Sequence, residues 1–142
     1  ARNTAPPSGH ARNTGVPSDH ARSTAMWTHL GALLLDVGGL LTCGVSSLLL
    51  WIPPLVILNG PSGADPFVRR HARQSLNLAF TELIAAAVIA MAVSTTGGIG
   101  VLLAIPLALV IWIAATVFRI LAATTANRGL PYHCPVAIPF LR

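Results

Sequence analysis

Charge is scarce in this sequence. Only 9% of its 142 residues are charged, 54% are hydrophobic, and no lysine is present. Because a soluble domain carries about 25% charged residues, this composition excludes an ordinary soluble protein. The net charge of +5 rests on arginine alone, and in a membrane protein it points to orientation and lipid headgroups before nucleic acid.

Cysteine is equally rare, and its placement excludes the usual cysteine motifs. Cys43 and Cys134 form no CxxC pair, so both are predicted to be free thiols. The serine, histidine and acidic residues show no spacing that assembles a nucleophile, a metal centre or a phosphate site. Residues 97–100 (GGIG) follow an apolar helix and not a strand, which indicates a turn and not a phosphate loop. The sequence therefore predicts no catalytic residue, no cofactor and no metal site.

Residues 1–25 form a decad repeat. The run ARNT at residues 1–4 recurs at 11–14, and as ARST at 21–24. This composition supplies almost no core residues and its prolines oppose helix, so an extended tail is predicted. We expect such a tail to dock on repeated sites of a partner or on anionic lipid. Metal binding by its widely spaced histidines is the weaker alternative. The candidate docking residues are Arg2, His10, Arg12, His20 and Arg22.

Two long apolar runs, 76–94 and 99–126, dominate the second half of the chain. About 20 helical residues cross the hydrocarbon core of a bilayer, and both runs reach that length. The uncharged turn TTGG at 95–98 separates them, so a membrane-spanning helical hairpin is predicted. Asp65 and Pro66 are a helix-start signal, which places the two helices at about 66–95 and 99–126.

Residues 26–58 are too long for one span and are interrupted by Gly38-Gly39 and Pro53-Pro54. Two shorter helices, about 24–37 and 40–58, fit better. Two hairpins place all loop arginines on one side, which the positive-inside rule assigns to the cytoplasm. The prediction is an all-α membrane protein of the bacterial inner membrane. It is a four-helix bundle of two helical hairpins over residues 26–142, with a tail at 1–25, both termini cytoplasmic, and a first helix short enough to be tilted or re-entrant.

Each helix of the second hairpin carries one charge within its apolar run. Glu82 and Arg119 both lie on faces of small residues that let helices approach closely. An unpaired charge costs roughly 2.5–3.5 kcal/mol at mid-membrane, so the two are predicted to form an ion pair. A proton or substrate relay is the alternative, although the outer half of the hairpin offers no further titratable group. Asp36 is either exposed at the outer interface, the favoured alternative, or a polar contact inside the bundle.

A basic collar lies at the start of the first of these two helices. It consists of Arg69, Arg70, His71 and Arg73, and it predicts a headgroup anchor or a site for an acidic lipid or partner.

Two runs, HARQSLN at 71–77 and ANRGLPYHCP at 126–135, carry a resemblance, together with WTHLG at 27–31. In these runs the chain resembles a widespread group of small bacterial membrane proteins, which are similar to the four-helix component of the chloroplast inner-envelope protein import machinery. The resemblance implies four membrane helices and no catalytic residue. The repeated tail and Pro139 depart from the family pattern. The motif residues are His71, Asn77, Asn127, Gly129, Tyr132 and Pro135.

These observations favour a non-catalytic accessory or scaffold subunit. It would pack against a larger membrane complex and dock through the repeated tail. The sequence is also compatible with a homo-oligomer. A transporter or protein-conducting component is the first alternative, although few polar residues are available to line an aqueous path. An organiser that binds anionic lipids through the collar is the second.

Overall fold

The computed structural model describes residues 15–42 and 44–141, which contain four α-helices and no strand. The helices are α1 (Asp19–Leu41), α2 (Ile52–Asn59), α3 (Pro66–Thr95) and α4 (Val101–Asn127), and 3₁₀ turns occupy Ser46–Leu49 and Pro61–Ala64. The predicted all-α class is confirmed. Three helices, α1, α3 and α4, are long and apolar enough to cross a membrane, whereas the apolar segment Ser46–Asn59 is shorter.

The first helix begins inside the predicted tail. Ser18 is its N-cap, with the side-chain oxygen accepting from the Ala21 amide at 3.1 Å, so the third decad repeat is helical and not extended. Ala21 and Ala25 are buried, which means that this repeat contributes to the core. The first two repeats lie outside the described residues.

The same helix runs through Gly38 and Gly39, where the sequence predicted its end. It reaches 23 residues, so the expectation of a short first helix that ends at about residue 37 is wrong. The reason is packing: a Cβ at Gly38 would lie 3.2 Å from the Ser46 hydroxyl, and one at Gly39 would overlap Ser47. The two glycines therefore let the segment around Ser46 and Ser47 pack closely on α1, and they do not end the helix.

The chain between α1 and α3 turns back along α1 without forming a full span. The Ser46 hydroxyl donates to the Leu35 carbonyl at 2.9 Å, and Gly31 faces Pro53 further along. The segment Ser46–Asn59 would reach about 21 Å as a helix, against a hydrocarbon core of about 30 Å. The predicted helix 40–58 is thus replaced by a 3₁₀ turn and the eight-residue α2.

The second hairpin follows its predicted bounds closely. The Asp65 carboxylate caps α3 by accepting from the amides of Phe67 and Val68, and α3 ends at Thr95 as expected. Gly97 and Gly98 have φ angles of 63° and 91°, which lets the chain reverse tightly into α4. α4 begins at 101 and not 99, and it accommodates Pro106 within the helix.

The directions of the three long helices bring most of the arginines to one end of the bundle. α1 and α3 run parallel, since Thr28 meets Ser75 and, further along both helices, Asp36 and Glu82 contact the same arginine; α4 returns antiparallel to bring Gly129 beside Arg22. The start of α1, the start of α3 and the end of α4 therefore lie together. We call this the arginine end, because it carries every described arginine except Arg119, namely Arg22, Arg69, Arg70, Arg73 and Arg128.

Small side chains form most of the core between the three long helices. The buried alanines of this core are Ala21, Ala25, Ala32, Ala72, Ala79, Ala115, Ala122, Ala123 and Ala126. Small residues let helix backbones approach closely in a membrane, where lipid tails compete with larger apolar contacts. Beyond Glu82, α3 continues for roughly 20 Å at 1.5 Å per residue, past the end of α1. This outer half of the α3–α4 hairpin exposes most of its apolar side chains.

Candidate functional site

The buried side chain of Arg119 is the centre of the most unusual cluster in the bundle. Its Nη1 atom donates to Glu82 Oε1 at 2.6 Å and to Asp36 Oδ2 at 3.4 Å. Arg119 is 0% exposed, so its charge has no access to water. The structure therefore brings Glu82 and Arg119 together and adds a second carboxylate. Asp36, Glu82 and Arg119 are called the Arg119 cluster below.

Asp36 lies inside the bundle, and the favoured expectation that it is exposed at the outer interface is wrong. Only 3% of the residue is exposed. The reason is the length of α1: the helix continues to Leu41, so Asp36 is not at its end, and this face of α1 packs on α4 beside Arg119.

Charge balance distinguishes this cluster from a simple ion pair. Two carboxylates share one guanidinium, so ionisation of both would leave a net negative charge in a setting where charges are expensive. The Nε and Nη2 atoms of Arg119 make no hydrogen bond within the described part of the chain. The two carboxylates can thus accept a proton, a cation or a hydrogen bond, whereas the Nε and Nη2 groups of Arg119 can only donate. Among residues 15–42 and 44–141, no three His, Cys, Asp or Glu side chains lie close enough to hold a metal ion.

An open cavity of about 560 Å³ adjoins the Arg119 cluster. Asp36 and Glu82 are the only charged side chains among its lining residues, and the other walls are mainly apolar. α1 supplies Leu40, α3 supplies Ala86, and α4 supplies Ala108 and Trp112. The cavity therefore presents two acidic groups at the base of an apolar recess in the outer half of the bundle.

Only some residues of the collar predicted from the sequence lie at the surface. Arg69 and Arg70 are exposed and Arg73 is half-buried, and all three line a groove of about 400 Å³ at the arginine end. His71 does not belong to it, because the side chain is fully buried. Residues two apart on a helix point about 200° apart, so His71 faces the core while its neighbours face outward.

His71 instead joins three parts of the chain. Its Nε2 atom lies 3.2 Å from the Leu130 carbonyl, and its Nδ1 atom lies 3.3 Å from His29 Nε2. A carbonyl can only accept, so His71 carries its proton on Nε2 and receives a hydrogen bond from His29 on Nδ1. This chain of two histidines ties α1 and α3 to the segment that follows α4.

The C-terminal segment 131–141 is held against α3 by contacts that include one motif residue, Asn77. The Asn77 amide donates to the Leu141 carbonyl at 3.2 Å and accepts from the Leu141 amide at 3.0 Å. The Ile138 amide donates to Thr81 Oγ1, and Phe140 meets Phe80 edge to face. We call this the C-terminal strap. The two motif runs meet at His71 and Leu130, so their pairing would have indicated where the strap begins but not its contacts at residues 138–141.

The remaining motif residues surround the strap. Gly129 has a φ angle of 72°, which favours glycine at this turn, and a Cβ there would lie 3.2 Å from Arg22. Tyr132 is half-buried, whereas Asn127 and Pro135 are exposed. Cys134 is a free, buried thiol, and Cys43 lies outside the described residues.

The predicted docking residues of the tail have mixed outcomes. Arg2, His10 and Arg12 lie outside the described residues. His20 is exposed in the first turn of α1, and Arg22 is ion-paired with Asp19 on the same helix. The third repeat is therefore part of the bundle, and tail docking stays a prediction for the first two.

Comparison with known proteins identifies the family. A family model for the magnetosome magnetite crystal formation proteins, MamF/MmsF, matches residues 20–141. No curated protein and no solved structure gave a significant match. None of these comparisons links the chain to the chloroplast import machinery, so that part of the resemblance has no support from them. The match begins one residue after α1 does and covers all four helices and the C-terminal strap. The chain belongs to the MamF/MmsF family of bacterial membrane proteins.

Proposed function

We propose that this chain is a non-catalytic membrane subunit that acts in magnetosome magnetite crystal formation by packing against another membrane protein. It resides in the bacterial inner membrane or a compartment derived from it, with the arginine end on the cytoplasmic side, as the positive-inside rule prefers. The observation that carries the proposal is the cavity beside the Arg119 cluster.

The cavity favours a protein helix over lipid tails as its occupant. Lipid tails offer no hydrogen-bond donor to Asp36 and Glu82, and a carboxylate facing hydrocarbon is costly. A transmembrane helix with one basic side chain would supply a further hydrogen-bond donor and balance two carboxylates against two positive groups. The small residues Ala86 and Ala108 in the wall allow such a helix to approach closely.

A second copy of the same chain fits the cavity less well. The described arginines outside the cluster all lie at the arginine end, and Arg119 itself is buried in its own bundle. A parallel copy in the same membrane would therefore bring no arginine to the depth of the cavity. A different protein is the better candidate, and the first two tail repeats, with Arg2, His10 and Arg12, would add contacts to it through multivalency.

The transport alternative has less support. Apart from Asp36, Glu82 and a serine, the residues that line the cavity offer no polar side chain beyond the Trp112 indole. An aqueous path across the membrane needs polar groups along its whole length, and the outer half of α3 and α4 supplies few.

Partner binding at the cavity can be tested with neighbouring residues on one helix. Ala86 lines the cavity, whereas Ala87 is exposed and does not. The tagged chain, Ala86→Trp and Ala87→Trp are purified from the native host in gentle detergent, and co-purifying proteins are identified by mass spectrometry. We expect a stoichiometric membrane partner with the wild type and Ala87→Trp that is lost with Ala86→Trp. A lone protein in all three cases would contradict the proposal.

Two further arms connect the interaction to the process. A variant without residues 1–14 tests the tail while leaving the folded third repeat in place. In cells that lack the chain, complementation with Ala87→Trp should restore magnetite crystal size and number by electron microscopy, and Ala86→Trp should not. Equal restoration by both variants would separate crystal formation from the cavity.

A further inference from the structure

The cavity beside the Arg119 cluster combines the size of a ligand site with an unbalanced charge. Its volume of about 560 Å³ lies within the range of roughly 300–1,000 Å³ that is usual for small-molecule pockets. Asp36 and Glu82 line it, and no basic residue of the described chain does so. Both carboxylates contact the same single cation, Arg119, so the surplus of negative charge lies at the cavity wall.

Each carboxylate has an oxygen that its bond to Arg119 does not use. Arg119 Nη1 donates to Asp36 Oδ2 and to Glu82 Oε1, which leaves Asp36 Oδ1 and Glu82 Oε2 outside these bonds. The Ser47 hydroxyl lines the same cavity and can accept a hydrogen bond as well. A guest in the cavity therefore meets about three side-chain acceptors among walls that are otherwise mainly apolar.

The small number of acceptors favours an ammonium group over a guanidinium group. An ammonium carries three N–H donors, whereas a guanidinium carries five in a fixed planar fork. Three acceptors match the ammonium, while a guanidinium would leave donors unpaired against apolar walls, which is costly. A neutral amide would supply donors but would leave the surplus negative charge of the cluster unbalanced.

The other walls require that this charge is carried on an apolar body. All three long helices contribute aliphatic side chains to the cavity, among them Leu40, Leu83, Ile89, Ile105 and Leu109. A lysine side chain has the required form, because its aliphatic stem packs along apolar surface and carries the charge at its tip. A lysine on a transmembrane helix would thus place its stem against these walls and its ammonium at the two carboxylates.

We propose that the cavity recognises an ammonium group, and that the helix seated in it carries a lysine at the depth of Asp36 and Glu82. The occupant of the cavity rests on the partner binding proposed above, whereas recognition of an ammonium is a property of the purified chain alone. Asp36 gives the site its selectivity, because Glu82 and Arg119 balance each other and Asp36 supplies the surplus charge.

The test measures binding of n-hexylammonium to the detergent-purified full chain, with 1-hexanol as the neutral probe of the same length. Trp27→Phe/Trp51→Phe leaves Trp112 as the one tryptophan, and its indole in the cavity wall reports occupancy by fluorescence. Hexylammonium should bind at least about tenfold more tightly than hexanol, since hydrogen bonds between charged groups are stronger than neutral ones. Equal binding of the two probes would overturn the proposal.

Variants in the same background locate the site. Asp36→Asn should weaken hexylammonium binding at least about tenfold and leave hexanol binding within about twofold, because it removes the surplus charge and keeps the shape. The matched control Asp19→Asn removes the same charge at the exposed start of α1 and should change neither. If Asp36→Asn fails to fold by circular dichroism, Ala86→Phe should block hexylammonium by filling the cavity, and Ala87→Phe, outside it, should not. Equal effects within either pair would refute the site.

A guanidinium probe tests the choice of lysine. n-Hexylguanidinium should bind at least about threefold more weakly than hexylammonium, and binding that is as tight or tighter would overturn the assignment to an ammonium. A co-purified partner whose spanning helices contain no lysine would overturn it as well.

Failure of this inference is distinguishable from failure of the proposed function. If a stoichiometric partner co-purifies from the native host but the purified chain does not prefer hexylammonium, partner binding stands and the ammonium assignment falls. If the purified chain prefers hexylammonium but no partner co-purifies, recognition of the ammonium stands and the partner helix falls.

Discussion

Replacing Arg119 by methionine is the sharpest test of the bundle interior. The substitution removes the positive charge of the Arg119 cluster but keeps an unbranched apolar side chain in place of the arginine stem. Asp36 and Glu82 would then face each other without a cation in a buried setting. Removing one partner of a buried ion pair typically costs about 3–5 kcal/mol, and we expect the free energy of unfolding to fall by that amount.

The two carboxylates should contribute unequally. Glu82 lies 2.6 Å from Arg119 Nη1 and Asp36 lies 3.4 Å from the same atom. At equal dielectric the Coulomb energies scale as 3.4/2.6, a ratio of about 1.3 in favour of Glu82. The longer distance also exceeds the range of about 2.7–3.2 Å for good N–H···O hydrogen bonds. Glu82→Gln should therefore destabilise the chain more than Asp36→Asn, which removes the surplus negative charge.

The assay is unfolding of the purified chain by titration of a denaturing detergent into a mild one, followed by circular dichroism. Arg128→Met is the matched control, because Arg128 is exposed and should change stability by less than about 0.5 kcal/mol. The triple variant Arg119→Met/Glu82→Gln/Asp36→Asn should recover most of the stability lost by Arg119→Met, since neutral groups need no cation. The reasoning is refuted if Arg119→Met behaves like Arg128→Met, or if the triple variant loses the sum of the three single effects.

Two other predictions address the strap and the orientation of the hairpin. Asn77→Ala should speed hydrogen exchange at the Leu141 amide by at least tenfold, because both hydrogen bonds between Asn77 and Leu141 are lost. The control Asn127→Ala, at an exposed residue, should leave this exchange rate unchanged, and an unchanged rate in both variants would contradict the strap. In a background without other cysteines, Ile99→Cys and Arg128→Cys should react with a membrane-impermeant reagent from opposite sides, and reaction from one side only would contradict a spanning hairpin.

The second hairpin was predictable because its signals are local. Asp65 and Pro66 form a capped helix start, and uninterrupted apolar runs set the lengths of α3 and α4. The first hairpin was not, since Gly38-Gly39 has two meanings that local sequence does not separate. Glycines end a helix when the chain turns there, but they continue it when a neighbouring segment packs close, as Ser46 and Ser47 do. That neighbour is known only once the fold is known.

The candidate site was also predictable only in part. Helical spacing placed Glu82 and Arg119 on small-residue faces at similar depth, which was enough to pair them. The contact between Asp36 and Arg119 joins residues 83 positions apart and needs the packing of α1 on α4, which no local pattern reports. His71 is a different case, because helical geometry already separates it from Arg69 and Arg73. Its assignment to the collar rested on adjacency along the chain, which misleads on a helix.

The distribution of contacts in the described chain indicates where a partner would matter most. At the arginine end, the His29–His71 pair, the C-terminal strap and the alanine core hold α1, α3 and α4 together. Beyond the Arg119 cluster, α3 and α4 have mainly each other, and the cavity opens beside them. Local stability follows local packing, so we expect this outer half to be the part of the bundle that opens most readily. A partner helix seated on the cavity would stabilise that half directly, and the Arg119 cluster would transmit its presence to all three long helices because each of them contributes one residue to it.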